Sequence, residues 1–445
     1  MAAPRALEER EPTSRELSTG RWARARARGA PRAGRRRRSP WRRLVVIAAI
    51  AGPGLIAANA GNDAGGIATY ASAGSQYGYR TLFVMLLITV GLVVVQEMSA
   101  RLGAITGKGL AALIREEFSI RLAFLAVAAL LIANLGTAVS EFAGIGAAFQ
   151  LFGVPPYVTV PVAAAVIWVL VLFGTYRYAE RVFLLLSLAF LTYPVAAAFG
   201  HVDWKVAGID TVVPHLSAAQ GFVLFVVALI GTTISPYMQL YNAAAVVDRG
   251  IGPEEYPAER IDTVAGAIFA DVISWFIIVA TAAAIGGHGA LASAAEAARA
   301  LRPVAGPAAE ILFGLGLLGA SALAAAVVPL STSYALAEAV GVERSVSRRF
   351  REAPLFLGLF TAQIVIGAAV ALVPVNLIHL LVGTQVVEGV VTPVTLAFIF
   401  VLANRRSVLG RHVNGPVFKV VAGLTVAVCG AMSLVLVVTT LLGWL

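Results

Sequence analysis

Eleven apolar runs punctuate the chain, at about 44–73, 81–99, 121–147, 157–173, 181–199, 219–246, 263–286, 309–338, 354–373, 376–402 and 417–444. An α-helix needs roughly 20 residues to cross a bilayer, so the pattern predicts an all-α polytopic membrane protein with eleven transmembrane helices. Two of the runs are interrupted. In the first, Asn59 to Thr69 reads NAGNDAGGIAT, and the apolar stretches on either side are each too short to span alone. Gly61, Gly65 and Gly66 permit backbone angles that a helix interior penalises, and Asp63 sets an ionisable group at bilayer depth, where such groups mark functional sites. Irregular backbone at that depth survives only where it is buried in protein or lines a wet cavity. The plainer alternative is a glycine-kinked helix whose Asp63 is paired structurally.

The sixth run is interrupted in the same way. GFVLFVVALIGTTISPYMQLYNAAAVV carries Gly231, Thr232, Thr233, Ser235 and Pro236 at its centre. Proline has no N–H to donate and clashes with the preceding turn, so the carbonyls before Pro236 lose their helical partners and become available as ligands. Breaks in the first and sixth runs divide the chain into corresponding halves, runs 1 to 5 and runs 6 to 10. An odd number of crossings per half inverts the second half in the membrane. Inverted repeats with breaks at matching positions are the pattern of secondary transporters, whose substrate site lies at the midplane between the unwound segments. The eleventh run lies outside the repeat.

Composition agrees with this reading. Of 445 residues 59% are hydrophobic and only 13% charged, with a mean hydropathy of +0.84, against about 25% charged in soluble domains. The net charge of +10 resides in residues 1–43, which hold 14 of the 34 Lys and Arg and 4 of the 24 Asp and Glu. That Arg-rich segment, with RRRR at Arg35 to Arg38, reads as a disordered cytoplasmic tail, and residues 44–445 as one transmembrane domain. Such a tail suits anionic lipid or nucleic acid; the preferred reading is a positive-inside retention signal, with membrane lipid and not nucleic acid as its neighbour. Connections after even-numbered runs hold sixteen basic residues and those after odd-numbered runs four, which predicts a cytoplasmic N-terminus and an extracellular C-terminus.

The chemistry at the breaks is all oxygen. Asp63 brings a carboxylate; Thr232, Thr233 and Ser235 bring hydroxyls and freed carbonyls. A single Cys429 and five scattered His offer no soft cluster, so a hard cation such as Mg²⁺ or Mn²⁺ fits better than Zn²⁺ or Cd²⁺. Na⁺ beside an organic substrate such as an amino acid is the alternative. Glu141 in run 3 and Asp271 in run 7 are candidate way stations for a cation or proton, and Gln385 a neutral oxygen near the site; Glu388 reads as structural. No catalytic pair or nucleotide-binding loop stands out, so neither an enzyme nor a resident cofactor is expected. The metal ion is expected as substrate.

The block GPGLIAANAGNDAGGIATYASAGSQYGYRTLFVML followed by QEMSARLGAITGKGLAALIREEF resembles the Nramp divalent-metal transporters, in which GPG, an Asp-containing break, AGxxYGY and SARLGxxTGK recur in this order. GTTISPY and GTQVV extend the likeness through runs 6 and 10. The resemblance implies the LeuT-like 5+5 inverted repeat with broken helices 1 and 6, and alternating access. By correspondence it places the metal at Asp63, Gly66 and Ser235 and at the carbonyls of Ala60 and Thr232. It also marks departures. The family's DPGNxxT is DAGGIAT here, with Gly66 at the Asn ligand; its ATVMPH is TTISPY, with Ser235 at the Met ligand and Tyr237 at the His; and Ala138 stands where an Asp usually precedes Glu141. Without the thioether the site loses its preference for softer transition metals. The combination is similar to the divergent Nramp-related magnesium transporters, which implies uptake of Mg²⁺ and Mn²⁺ without strong proton coupling. A proton-coupled Mn²⁺/Fe²⁺ transporter is the alternative within the family.

Overall fold

The computed structural model describes residues 62–173, 191–342 apart from 288 and 292, and 352–442. The tail, the first half of run 1 with Ala60, and most of run 5 lie outside the described residues. Within them the chain is helical: α1 Ala64–Tyr77, α2 Leu82–Thr106, α3 Ile120–Leu151, α4 Pro156–Leu172, α5 Thr192–Phe199, α6 Gln220–Thr233, α7 Pro236–Asp248, α8 Tyr256–Ile285, α9 Ala309–Val340, α10 Pro354–Ala371, α11 Leu377–Asn404 and α12 Pro416–Leu441. Short helices such as Leu110–Glu117 and Trp204–Val212 fill connections. Proline opens α4, α7, α10 and α12, where its missing N–H costs nothing and its fixed φ suits the first turn. Among the described residues eight stretches are long and apolar enough to cross a membrane.

The second interruption is described on both sides, the first only on its C-terminal side. Asp63 is extended and α1 begins only at Ala64. Run 6 ends one helix at Thr233 and starts another at Pro236, with Ile234 and Ser235 non-helical between them. The packing also carries the sign of a repeat. The second half of run 1, α1, lies along run 7, α8, while the second half of run 6, α7, lies along run 2, α2. Exchanging the two halves of a five-helix repeat turns the first contact into the second. Runs 3 and 8, which correspond under the same exchange, pack along each other as α3 and α9.

Run 2 ends later than its polar residues suggest. The sequence places its boundary near residue 99, yet α2 continues to Thr106 and stops at Gly107, whose φ of 65° only glycine adopts readily. Glu97 and Arg101 belong to the helix. They pair at i, i+4 with 3.2 Å between Arg101 Nη2 and Glu97 Oε2, and Glu97 also receives Arg260 Nε at 3.4 Å and the Tyr256 hydroxyl. Arg101 donates to the His412 carbonyl at 3.0 Å and to Asn414 Oδ1. Charge that reads as a connection is thus buried in an ion-pair network. On the same face Arg405 donates to the Glu117 carbonyl at 2.7 Å and Arg115 to the Ala339 carbonyl at 3.5 Å. Residues from the connections after runs 2, 6, 8 and 10 therefore meet at one end of the molecule, as an alternating membrane path requires. At the other end Gly287 N–H donates to the Ser75 carbonyl at 2.8 Å and the Ser75 hydroxyl to the Gly289 carbonyl at 2.8 Å.

Helices close to backbone contact hold the breaks in place. A β-carbon on Gly231 of α6 would fall on the Gln385 carbonyl and on Gly389 of α11, and one on Gly389 would fall on the Val227 carbonyl. Small residues are what allow such an approach in a membrane. Gly231→Ala is therefore expected to lower the apparent Tm of the detergent-purified protein, by the equivalent of about 1–3 kcal/mol, whereas Gly358→Ala in α10, where nothing lies within 4 Å, leaves Tm unchanged or higher. Equal Tm values for the two variants would contradict this packing.

Candidate metal site

The site is built from the two ends that the breaks expose. At the start of α1 four backbone N–H groups have no intrahelical acceptor, and two carboxylates take up two of them. Asp63 is the N-cap: its Oδ1 accepts from Gly66 N–H at 2.6 Å. Glu141, from the middle of α3, accepts from Ala64 N–H with Oε2 at 3.2 Å, and its Oε1 lies 3.2 Å from the Ser140 hydroxyl. Both carboxylates are fully buried. Asp63 Oδ2 accepts from the Tyr237 hydroxyl at 3.3 Å, which ties the break in α1 to the first turn of α7. A carboxylate offers about four lone-pair positions, so Asp63 keeps acceptor capacity after both bonds.

The break between α6 and α7 is closed by its own serine. Pro236 has no N–H for the Thr232 carbonyl, the non-helical Ser235 leaves that of Gly231 without its helical donor, and the Ser235 hydroxyl reaches back to them at 3.2 and 2.6 Å. A hydroxyl that donates its proton to a carbonyl retains lone pairs that can face a cation. A buried carbonyl left without a donor costs about 1–3 kcal/mol, which Ser235 averts. The C-terminal end of α6 is also the negative end of its dipole, a polarity that suits a cation between the helices.

Gln385 of α11 also reaches the start of α1. Its amide packs so tightly over Gly65 that any β-carbon there would overlap it. Gln385 is fully buried, and neither amide atom has a hydrogen-bond partner among the described residues; the same holds for Thr232 Oγ1. Three residues along α11, on the same face, Glu388 accepts from the Thr137 hydroxyl at 2.5 Å with Oε1, while its Oε2 is buried without a partner. The Glu388 carboxylate lies beside the Ser235 hydroxyl and close enough to Asp63 for their charges to interact.

The candidate residues therefore separate into two neighbouring groups. Asp63, Gly66, Ser235, Tyr237, Glu141 and Gln385 surround the breaks, with Thr232 at the end of α6. Thr233 turns away: its hydroxyl is 2.9 Å from that of Tyr70, and together with Asn62, Tyr70, Asp271 and Ser274 it lines a small separate pocket. Asp271 is in that second group. Ser274 there donates to Asn62 Oδ1 at 2.9 Å, so Asn62, adjacent to Asp63, fixes the approach to the break. Gly66 contributes an N–H to Asp63 and no side chain. Asn242, which reads as a packing residue, donates to the Gln96 carbonyl at 3.3 Å, and His379 lies exposed near the start of α11. Glu388, which the sequence reads as structural, lies three residues from Gln385 in α11 and adjoins Ser235; that spacing of three was the signal available in the sequence. Among the described residues no three His, Cys, Asp or Glu side chains gather closely enough to hold an ion by themselves, so an ion here would rest largely on neutral oxygens.

Known proteins with similar chains share this architecture. The sequence is 31% identical over 433 residues to the divalent metal cation transporter MntH of Ralstonia nicotianae, covering 91% of this chain and 93% of that protein. It is 27% identical to MntH of Burkholderia ambifaria, covering 95% and 96%. Among solved structures the Eremococcus coleocola manganese transporter superposes with a TM-score of 0.72 at 16% identity, over 90% of this chain and 87% of that one. The nucleobase-cation-symport-1 transporter Mhp1 superposes with a TM-score of 0.53 at 14% identity, over 86% and 90%. At such identities the superpositions speak for the LeuT-like fold alone. Residues 54–439 match the family described as natural resistance-associated macrophage protein-like, and the chain is accordingly a multi-pass membrane protein of the Nramp family.

Proposed function

We propose that this protein carries divalent metal cations, Mg²⁺ and Mn²⁺, into the cytoplasm by alternating access, with the ion held between the breaks of helices 1 and 6 and without tight coupling to protons. The observation that carries the reading is the chemistry of the two breaks. The carboxylate of Asp63 is tied through Tyr237 to the start of α7, next to the Ser235 hydroxyl that gathers the Gly231 and Thr232 carbonyls, and neither NAGNDAGGIAT nor GTTISPY carries a Met, Cys or His. Relatives named as divalent metal cation transporters support the general activity; the substitution of oxygen for thioether supports the harder ion. Mg²⁺ binds through one or two carboxylates while keeping several waters, and a site whose Asn and Met positions are Gly66 and Ser235 is wide enough to suit a partly hydrated ion.

Tyr237 occupies the position after Pro236 and donates a hydrogen bond to Asp63. A phenol in that place does not change charge near neutral pH as an imidazole does, which supports transport driven by the membrane potential. An inside-negative potential contributes roughly 2.3 kcal/mol per charge per 100 mV, or about 4.6 kcal/mol for a divalent ion. The excess of basic residues in the connections after even-numbered runs supports a cytoplasmic N-terminus and an extracellular C-terminus.

Uptake into proteoliposomes containing the full chain tests this directly. Mg²⁺ and Mn²⁺ are expected to enter well above the rate into protein-free vesicles, and Asp63→Asn is expected to abolish the flux; no flux in the parent protein, or undiminished flux in the variant, contradicts the proposal. An internal pH probe read in the same vesicles is expected to show no acidification that tracks metal entry. Stoichiometric acidification would instead favour a proton-coupled Mn²⁺/Fe²⁺ carrier, and Na⁺-dependent amino acid entry without metal would favour a solute carrier on the same fold.

A further inference from the structure

Glu388 is out of place as a structural residue. It sits at the middle of α11, fully buried, and every charge shown to act on it is negative: Asp63 interacts with it, and it acts in turn on Glu141. No Lys, Arg or His pairs with it, since every ion pair among the described residues involves other carboxylates. One oxygen is held by Thr137 at 2.5 Å, and the other is buried with only the Ser235 hydroxyl beside it, whose proton is committed to the Gly231 and Thr232 carbonyls. An ionised carboxylate without a counter-charge is costly to bury, and helix–helix packing alone is served as well by a neutral Gln or Leu.

Glu141 shows the contrast. Its two oxygens are committed, one to Ala64 N–H and one toward Ser140, so it completes the N-terminal cap of α1. Glu388 has an uncommitted oxygen, adjoins Ser235, and shares a face of α11 with Gln385, whose buried amide is also without a partner. Two unpartnered polar side chains from one helix thus approach the two breaks, Glu388 beside Thr137, one turn before Glu141 on α3.

We infer that Glu388 is a second anionic group of the cation site, its free oxygen acting with Asp63 across the breaks to balance the charge of a divalent ion, with Ser235 and Gln385 as neutral oxygens between them. This rests on the divalent-cation reading above. Two carboxylates neutralise an M²⁺ ion in a medium of low dielectric, where a single one leaves a net charge unbalanced. The absence of a tight three-ligand cluster among the described residues suits an ion that reaches at least one carboxylate through its own water. Thr137 orients the carboxylate from α3 and thereby links the site to the helix that also caps α1.

The inference is tested on full-length protein by Mg²⁺ uptake kinetics in proteoliposomes and by Mg²⁺ titration calorimetry in detergent. Glu388→Gln is expected to raise KM and Kd for Mg²⁺ by about ten-fold or more, with kcat changed less than KM, and Glu388→Asp to restore most of the affinity. A purely structural glutamate would instead lower Tm and yield while leaving Kd unchanged in the folded fraction. Unchanged Mg²⁺ affinity in Glu388→Gln, with the parent protein active and Asp63→Asn inactive, overturns this inference and leaves the proposed function standing. Lack of Mg²⁺ and Mn²⁺ binding in the parent protein overturns the reading beneath it. If Glu388→Gln does not fold, Thr137→Val probes the same carboxylate by removing the hydroxyl that orients it: affinity is expected to fall, and an affinity that does not move counts against the inference in the same way.

Discussion

Backbone groups inside a bilayer must find partners within the protein, and every feature of this site follows from that requirement applied to two interrupted helices. Where α1 starts at membrane depth, its first N–H groups are met by Asp63 and by Glu141 from α3. Where α6 stops, its last carbonyls are met by Ser235. Each cap leaves a polar atom with capacity to spare, and Tyr237 links the two ends through Asp63. Under the proposed function, repairing the breaks and lining a cation site with oxygen are the same act.

The surrounding packing serves this arrangement. Gly231, Gly389 and Gly65 have no β-carbon because α6 and α1 lie against the backbone and the Gln385 side chain of α11, which brings Gln385 and Glu388 to the breaks. Tyr70 ties α1 to the end of α6 through Thr233, and Tyr237 ties Asp63 to α7. The two halves of the repeat are thus connected at their interruptions by short polar contacts. At one end of the molecule the Glu97, Arg101 and Arg260 network joins the connections after runs 2, 6 and 10. Contacts of that kind can be exchanged as the helices rearrange, which a carrier that opens alternately to two sides requires.

Much of this was legible in the sequence because glycine, proline and buried charge have local consequences. NAGNDAGG and TTISP mark breaks whatever surrounds them, and the order of the apolar runs places them in corresponding halves. The roles of individual carboxylates were less legible, because they depend on partners far along the chain. Glu141 and Glu388 look alike as single acids in apolar helices, yet one bonds to Ala64, 77 residues away, and the other to Thr137, 251 residues away. Thr233 sits beside Thr232 in sequence, but the step of about 100° between neighbouring helical residues points it to Tyr70 and the Asp271 pocket. The end of run 2 was misplaced for a similar reason: Arg101 reads as a boundary charge until Glu97 and Asn414 are seen to bury it.

The central claim is that the two breaks together hold the divalent ion. Anomalous diffraction from crystals of the full chain grown with Mn²⁺ locates that ion without reference to transport. The account predicts a peak between Asp63 and Ser235, within direct coordination or one water of both the Asp63 and Glu388 carboxylates. A peak confined to the Asp271 pocket or to the surface, or none at the breaks with Mn²⁺ at saturating concentration, would contradict it.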